Sequence, residues 1–157
     1  MCAMKKLVLI CAILCGMFTV YGAELSAKGW VNSRQQGKFE FKNSGQYPIS
    51  LVCSEASAGT VVKGVGVWGR FMRHEVVENG KNYEIKFTYK LTTETNSELY
   101  FWLRGAKLYS RVFKAAAESR TVAYKFTAGS DKLSIYFNLM KAPGTLEIIS
   151  VELNKLD

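Results

Sequence analysis

The chain is poor in the residues from which metal centres and catalytic constellations are built. Its 157 residues include one histidine, His74, which excludes a two-histidine metal site within one chain. Aspartate occurs only as Asp131 and Asp157, and proline only twice. Of four cysteines, Cys2, Cys11 and Cys15 fall in the first 15 residues and leave Cys53 alone in the rest. No Gly-x-Ser-x-Gly, His-Glu-x-x-His or phosphate-binding loop is present. Among the 13 acids no pair shares a pattern that would set two carboxylates across one groove, as glycoside hydrolysis requires. The length allows one domain and excludes separate catalytic and binding domains.

What the amino terminus does have is an export pattern. Met4-Lys5-Lys6 is a short cationic start, and Leu7 to Val20 is an uncharged apolar run too short for a comfortable membrane span. Val20-Tyr21-Gly22 follows as a cleavage region, which predicts a secretory signal peptide over residues 1–22. Ile10 and Leu14 precede Cys11 and Cys15, and neither is the small residue a lipidation site needs. Soluble export to the periplasm, cell surface or medium of a bacterium is therefore expected rather than lipid anchoring at Cys15. Removal of the peptide leaves 135 residues, Ala23 to Asp157, with 19 basic and 13 acidic residues, a formal +6. With Cys53 alone, that segment can hold no internal disulfide, and its stability has to come from an apolar core. Cys53, in Ile49-Ser50-Leu51-Val52-Cys53, reads as a small buried hydrophobe.

Period-two alternation dominates residues 23–157. Tyr83, Ile85, Phe87, Tyr89 and Leu91 share one face of a strand whose other face carries Glu84, Lys86, Thr88 and Lys90. Leu133, Ile135, Phe137 and Leu139 form a second inward set, and Leu99, Phe101 and Leu103 a third. Further strands are predicted at Lys38–Lys42, Pro48–Cys53, Val61–Phe71, Val122–Phe126 and Thr145–Leu153. Turn signals at Asn43-Ser44-Gly45, Glu78–Asn82, Ala128–Asp131 and Ala142-Pro143-Gly144 separate them. Short strands at near-regular spacing predict an all-β, antiparallel β-sandwich. Lys114–Glu118 has helical propensity for a turn or two. Trp30 is expected to anchor the first strand by packing. Three glycines around Trp68 suggest close packing or a bend there.

Several outward positions differ from the bland residues of a solvated sheet. The strand Glu98–Arg104 presents Tyr100, Trp102 and Arg104 outward, and the strand Leu133–Leu139 presents Tyr136 and Asn138. Lys125 is outward on the strand ending at Phe126. Indole and phenol rings stack on the C–H face of a pyranose, and Arg and Asn offer planar donors to its hydroxyls. Trp102, Tyr100, Arg104, Tyr136, Asn138 and Lys125 are therefore the candidate ligand-binding residues. Outward aromatics can equally be cross-strand pairs that stabilise a sheet, and composition leaves both readings of Trp102 open.

Gly80-Lys81-Asn82-Tyr83-Glu84-Ile85-Lys86-Phe87-Thr88-Tyr89-Lys90 resembles the G-x-x-Y-x-(apolar)-x-(aromatic) strand of the jelly-roll carbohydrate-binding modules of families four and nine. Thr121 to Thr127, Asp131 to Leu139 and Gly144 to Leu153 are similar to the later strands of that pattern, so the resemblance spans residues 28–157. It implies a galactose-binding-domain-like jelly roll with a saccharide site, to which Trp102, Tyr100, Arg104, Tyr136 and Asn138 would contribute. The structural calcium frequent in such modules is poorly supported by two aspartates, and no other cofactor is implied.

The expected function is noncovalent binding of a polysaccharide or oligosaccharide. The +6 charge suits an acidic one. Export, and lysines spread along most strands, argue against nucleic acid. The alternatives are a structural or adhesive envelope domain and a jelly-roll polysaccharide lyase. Arg73-His74, Tyr136, Asn138 and Arg104 supply the residue kinds for the lyase without a family motif.

Overall fold

Apolar residues at every second position can bury one face of a strand only if a second sheet covers it, and the chain supplies both sheets. The computed structural model describes residues 23–36, 38–55, 68–93, 97–106, 109–140 and 143–156. The expected signal peptide over residues 1–22, Gly64 and Gly66 beside Trp68, and the first seven residues of the predicted Val61–Phe71 strand lie outside these. The strands are β1 Ala23–Glu24, β2 Val31–Gln36, β3 Lys38–Lys42, β4 Ile49–Glu55, β5 Trp68–Val76, β6 Asn82–Thr92, β7 Glu98–Arg104, β8 Tyr109–Lys114, β9 Ala116–Thr127, β10 Lys132–Met140 and β11 Gly144–Leu156. One 3-10 turn, Ala27–Gly29, is the helical element among the described residues.

Sheet I runs β3-β4-β11-β6-β9, with β1 laid along the far part of β11, and sheet II runs β2-β5-β10-β7-β8. All pairings are antiparallel. The result is the predicted all-β jelly-roll sandwich.

The core lies between the sheets. Phe71, Phe137 and Phe101 sit directly opposite one another on β5, β10 and β7 and are fully buried. Phe87 of sheet I meets this row at ring-centroid distances of 5.0 Å to Phe137 and 4.7 Å to Phe101. Trp30 closes one end, 5.7 Å from Phe71 and 5.3 Å from Phe137. The three inward sets read from the sequence are all buried. Cys53 is buried, as expected. Beside Trp68, Gly69 serves close packing, because a Cβ there would fall 2.6 Å from the Phe39 ring.

Polar contacts fasten the segment before β2 over the end of the sandwich. Trp30 Nε1 donates to Tyr47 Oη at 2.9 Å, and Tyr47 Oη donates to the Leu25 carbonyl at 2.8 Å. Asn43 Nδ2 donates to the carbonyls of Ala27 and Trp30, while its Oδ1 accepts from Gly45 N within the expected turn. Gly45 takes φ +86°, a conformation glycine adopts without strain.

Two expectations are corrected. The helical propensity of Lys114–Glu118 is overridden, since β8 ends at Lys114 and β9 begins at Ala116, where the chain passes from sheet II to sheet I. Ala116 is buried opposite Leu91, so packing decides the local conformation. The second concerns β8 itself, a strand at Tyr109–Lys114 where none was expected.

Phe137→Ala should cost about 3–5 kcal/mol of stability, read from the urea midpoint, because the ring is central to the core. Burial pushes the Tyr47 hydroxyl up to about 12 from 10.0, against the opposing hydrogen bond from Trp30. A raised folded-state value means the phenol's contribution is complete below pH 10 and disappears as pH rises toward 12. The unfolding midpoint should therefore fall between those pH values, and fall less steeply in Tyr47→Phe.

Candidate functional site

Because the Phe71–Phe137–Phe101 row points inward, the residues on either side of each phenylalanine must point outward. Across the outer face of sheet II, three-residue rows follow from the register. His74, Ser134 and Arg104 form the first, Met72, Tyr136 and Trp102 the second, Arg70, Asn138 and Tyr100 the third, and Trp68, Met140 and Glu98 the fourth. The rows extend over about 20 Å of β10.

Arg70 is the hub of this face. Its guanidinium carbon lies 5.1 Å from the Trp68 ring, 5.1 Å from Tyr136 and 5.6 Å from Trp102. Its Nε donates to Asn138 Oδ1 at 2.5 Å, and Asn138 Nδ2 donates to the Tyr100 carbonyl at 2.7 Å. Trp102 stacks on Tyr136 with centroids 4.8 Å apart and planes 25° apart. Each cation–π contact contributes on the order of 0.5–1 kcal/mol at a half-exposed site. The hydrogen bond that Arg70 donates to Asn138 then fixes the guanidinium in one place among the rings.

The six sequence candidates take different places. Trp102 and Tyr100 are half-buried on this face, and Arg104 is exposed at its end. Tyr136 is 8% exposed beneath its neighbours. Asn138 lies on this face at 1% exposure, and its amide accepts from Arg70 and donates to the Tyr100 carbonyl, so it orders the face. Lys125 is corrected. It lies on β9 in sheet I, opposite Glu84, away from the other five. The outer face of sheet I carries paired charge and hydroxyls, with Lys86 3.6 Å from Glu152 and Thr88 hydrogen-bonded to Thr121.

Arg70, not singled out by the sequence, and Trp68, read there as a close-packing position, complete the site. Arg70 and Trp68 stand at alternate positions of β5, and the same alternation that exposed Trp102 would have marked them. At the Arg104 end, His74, Arg104, Gly105, Ser130, Lys132, Ser134 and Tyr136 line an open cleft of about 420 Å³. His74 Nδ1 is hydrogen-bonded to Ser134 Oγ at 2.9 Å. Three of the residues named for a lyase, His74, Tyr136 and Arg104, meet there, while Asn138 is committed elsewhere. Among the described residues no group of three or more His, Cys, Asp and Glu side chains comes together. No helix among them is long and apolar enough to cross a membrane.

No family model and no curated protein matches the chain. Solved structures do. A CBM4 structure superposes with TM-score 0.58 at 13% identity, covering 81% of this chain and 86% of its own. The CBM22-1 xylan-binding domain of Xyn10C from Paenibacillus barcinonensis gives TM-score 0.58 at 14% identity, covering 87% and 96%. The N-terminal cellulose-binding domain of β-1,4-glucanase C from Cellulomonas fimi gives TM-score 0.53 at 18% identity, covering 83% and 90%. The fold is that of the jelly-roll carbohydrate-binding modules.

Asn138→Ala should remove the acceptor of Arg70 Nε and the side-chain donor to the Tyr100 carbonyl, costing about 1–3 kcal/mol in urea unfolding. A change in tryptophan fluorescence of the folded protein should accompany it, because the rings around Arg70 lose their shared cation.

Proposed function

We propose that this protein is an exported, non-catalytic domain that binds a glycan chain along the outer face of sheet II. The observation that carries this reading is the set of rings Trp68, Tyr100, Trp102 and Tyr136 on one face, ordered around Arg70 and Asn138. Pyranose rings would stack on the half-exposed part of Trp102 and its neighbours, and exposed donors at the ends of the face would take hydroxyls. Preorganisation matters here, since rings already fixed lose little freedom on binding. Support also comes from the structurally similar proteins, whose names specify xylan and cellulose binding and a complex with β-1,4-galactotriose. The apolar run at residues 7–20 supports export.

Affinity electrophoresis through gels containing neutral, uronate and sulfated polysaccharides tests the reading. At least one glycan should retard the protein, and Trp102→Ala should weaken that retardation about tenfold while keeping the far-UV spectrum and urea midpoint of a folded sandwich. Retardation by no glycan, or retardation unchanged in Trp102→Ala, would refute it.

A further inference from the structure

The glycan face does not end symmetrically. At the Glu98 end the acid is largely buried and paired with Lys114. The opposite end is the cleft of His74, Arg104 and Lys132, whose lining includes no acid.

The charges in that cleft differ from the protein's ion-paired cations. Lys42, Arg73, Lys86, Lys114 and Lys155 each have a carboxylate partner, and Arg70 has Asn138. Among the described residues the side chains of Arg104 and Lys132 have neither an ion pair nor a hydrogen bond. Gathering cations without an acid works against folding through mutual repulsion, and a bound anion relieves it.

The cleft is also held in shape. Gly105 takes φ +99°, and a Cβ there would lie 2.2 Å from the Lys132 carbonyl oxygen, so the turns after β7 and before β10 approach more closely than any other residue allows. Gly129 N donates to the Gly105 carbonyl at 2.6 Å, and Ser130 Oγ donates to the Lys132 carbonyl at 2.8 Å. The two unpaired cations thus emerge from backbone segments locked to each other.

We infer that this cleft is an anion subsite, which seats the carboxylate or sulfate ester of an acidic sugar residue in the chain lying on the aromatic face. The inference rests on the glycan reading of that face and names its substrate class. Arg104 follows Trp102 by two residues on β7, and Ser134 precedes Tyr136 by two on β10. That step is about 7 Å, so a ring stacked at Trp102 puts the next sugar's substituents into the cleft. The Arg104 guanidinium presents a planar fork matched to a carboxylate, and the Lys132 ammonium adds a flexible point charge. Seating an acidic group at this end, away from Glu98, also gives a bound chain one direction.

The test uses affinity electrophoresis of the protein with polygalacturonate, alginate and glucuronoxylan, each beside its carboxyl-reduced counterpart, and with carrageenan beside its desulfated form. Two double variants remove the same charge, Arg104→Gln/Lys132→Gln in the cleft and Lys90→Gln/Lys125→Gln on the outer face of sheet I. At least one acidic polymer should bind about tenfold more tightly than its neutral counterpart. The cleft variant should lose that excess and keep binding to the neutral form, while the remote variant should keep both. The polymer pair that shows the loss distinguishes carboxylate from sulfate. Arg104→Lys should recover part of the excess for a carboxylate, because charge returns without the fork. Equal binding of acidic and neutral forms overturns the subsite and leaves the aromatic platform standing, as does an excess lost equally in both double variants. Absence of binding to every polymer, neutral ones included, overturns the platform reading and the subsite with it.

Discussion

One row of side chains sets both sides of sheet II. Phe71, Phe137 and Phe101 face each other across three strands and are pinned from the opposite sheet by Phe87. In a strand the side chains alternate, so a slip of one residue would exchange the core set for the outward set. The energy that holds Phe137 inside is therefore the energy that holds Tyr136 and Asn138 where they are. Cys53 is the one cysteine among the described residues, so no disulfide between them supplements the core. Burial of these rings, together with Trp30, has to secure the register and through it the geometry of the outer face.

The two outer faces use that security differently. Sheet I presents paired charges and cross-strand hydroxyls, which keep a sheet soluble and ask nothing of a ligand. Sheet II presents four aromatic rings, of which Trp102 and Tyr136 stack on each other. Arg70 lies against three of them, Trp68, Trp102 and Tyr136, and Asn138, buried and hydrogen-bonded in two directions, holds Arg70 in place. A buried polar network of this kind is worth having only when every member is satisfied. Here both sides of the Asn138 amide have partners, so the network stiffens the face.

Much of this was legible in the sequence because period two is a local signal. The bounds of β3 and β7 and the inward sets of β6, β7 and β10 follow directly from alternation. What alternation lacks is any information about which sheet a strand joins. Lys125 and Trp102 are both outward, and the sequence treats them alike, yet they lie on opposite faces of the sandwich. The same blindness hid Asn138: outward on a central strand flanked by Arg70 and Tyr100 is a buried position, and only the register reveals its neighbours. β8 went unread because Tyr109–Lys114 mixes polar and apolar residues along an edge strand. The first residues of β9 are alanines, whose helical preference is weaker than the pairing with β6.

The sandwich places few demands on sequence: apolar residues of workable size at alternate positions suffice, and cores tolerate wide exchange if volume and pattern persist. Similarity of fold can accordingly survive when little identity remains, and it carries no information about the outward positions. Those positions are released from the core and can be selected for a ligand alone. In this chain they run from a paired acid at Glu98, through rings ordered by Arg70, to two unpaired cations at Arg104 and Lys132. A neutral glycan would use the rings and leave the cations repelling each other. An acidic one would engage the whole length of the face, which is why the inference of an acidic ligand rests on the charge at its end and not on the sandwich beneath it.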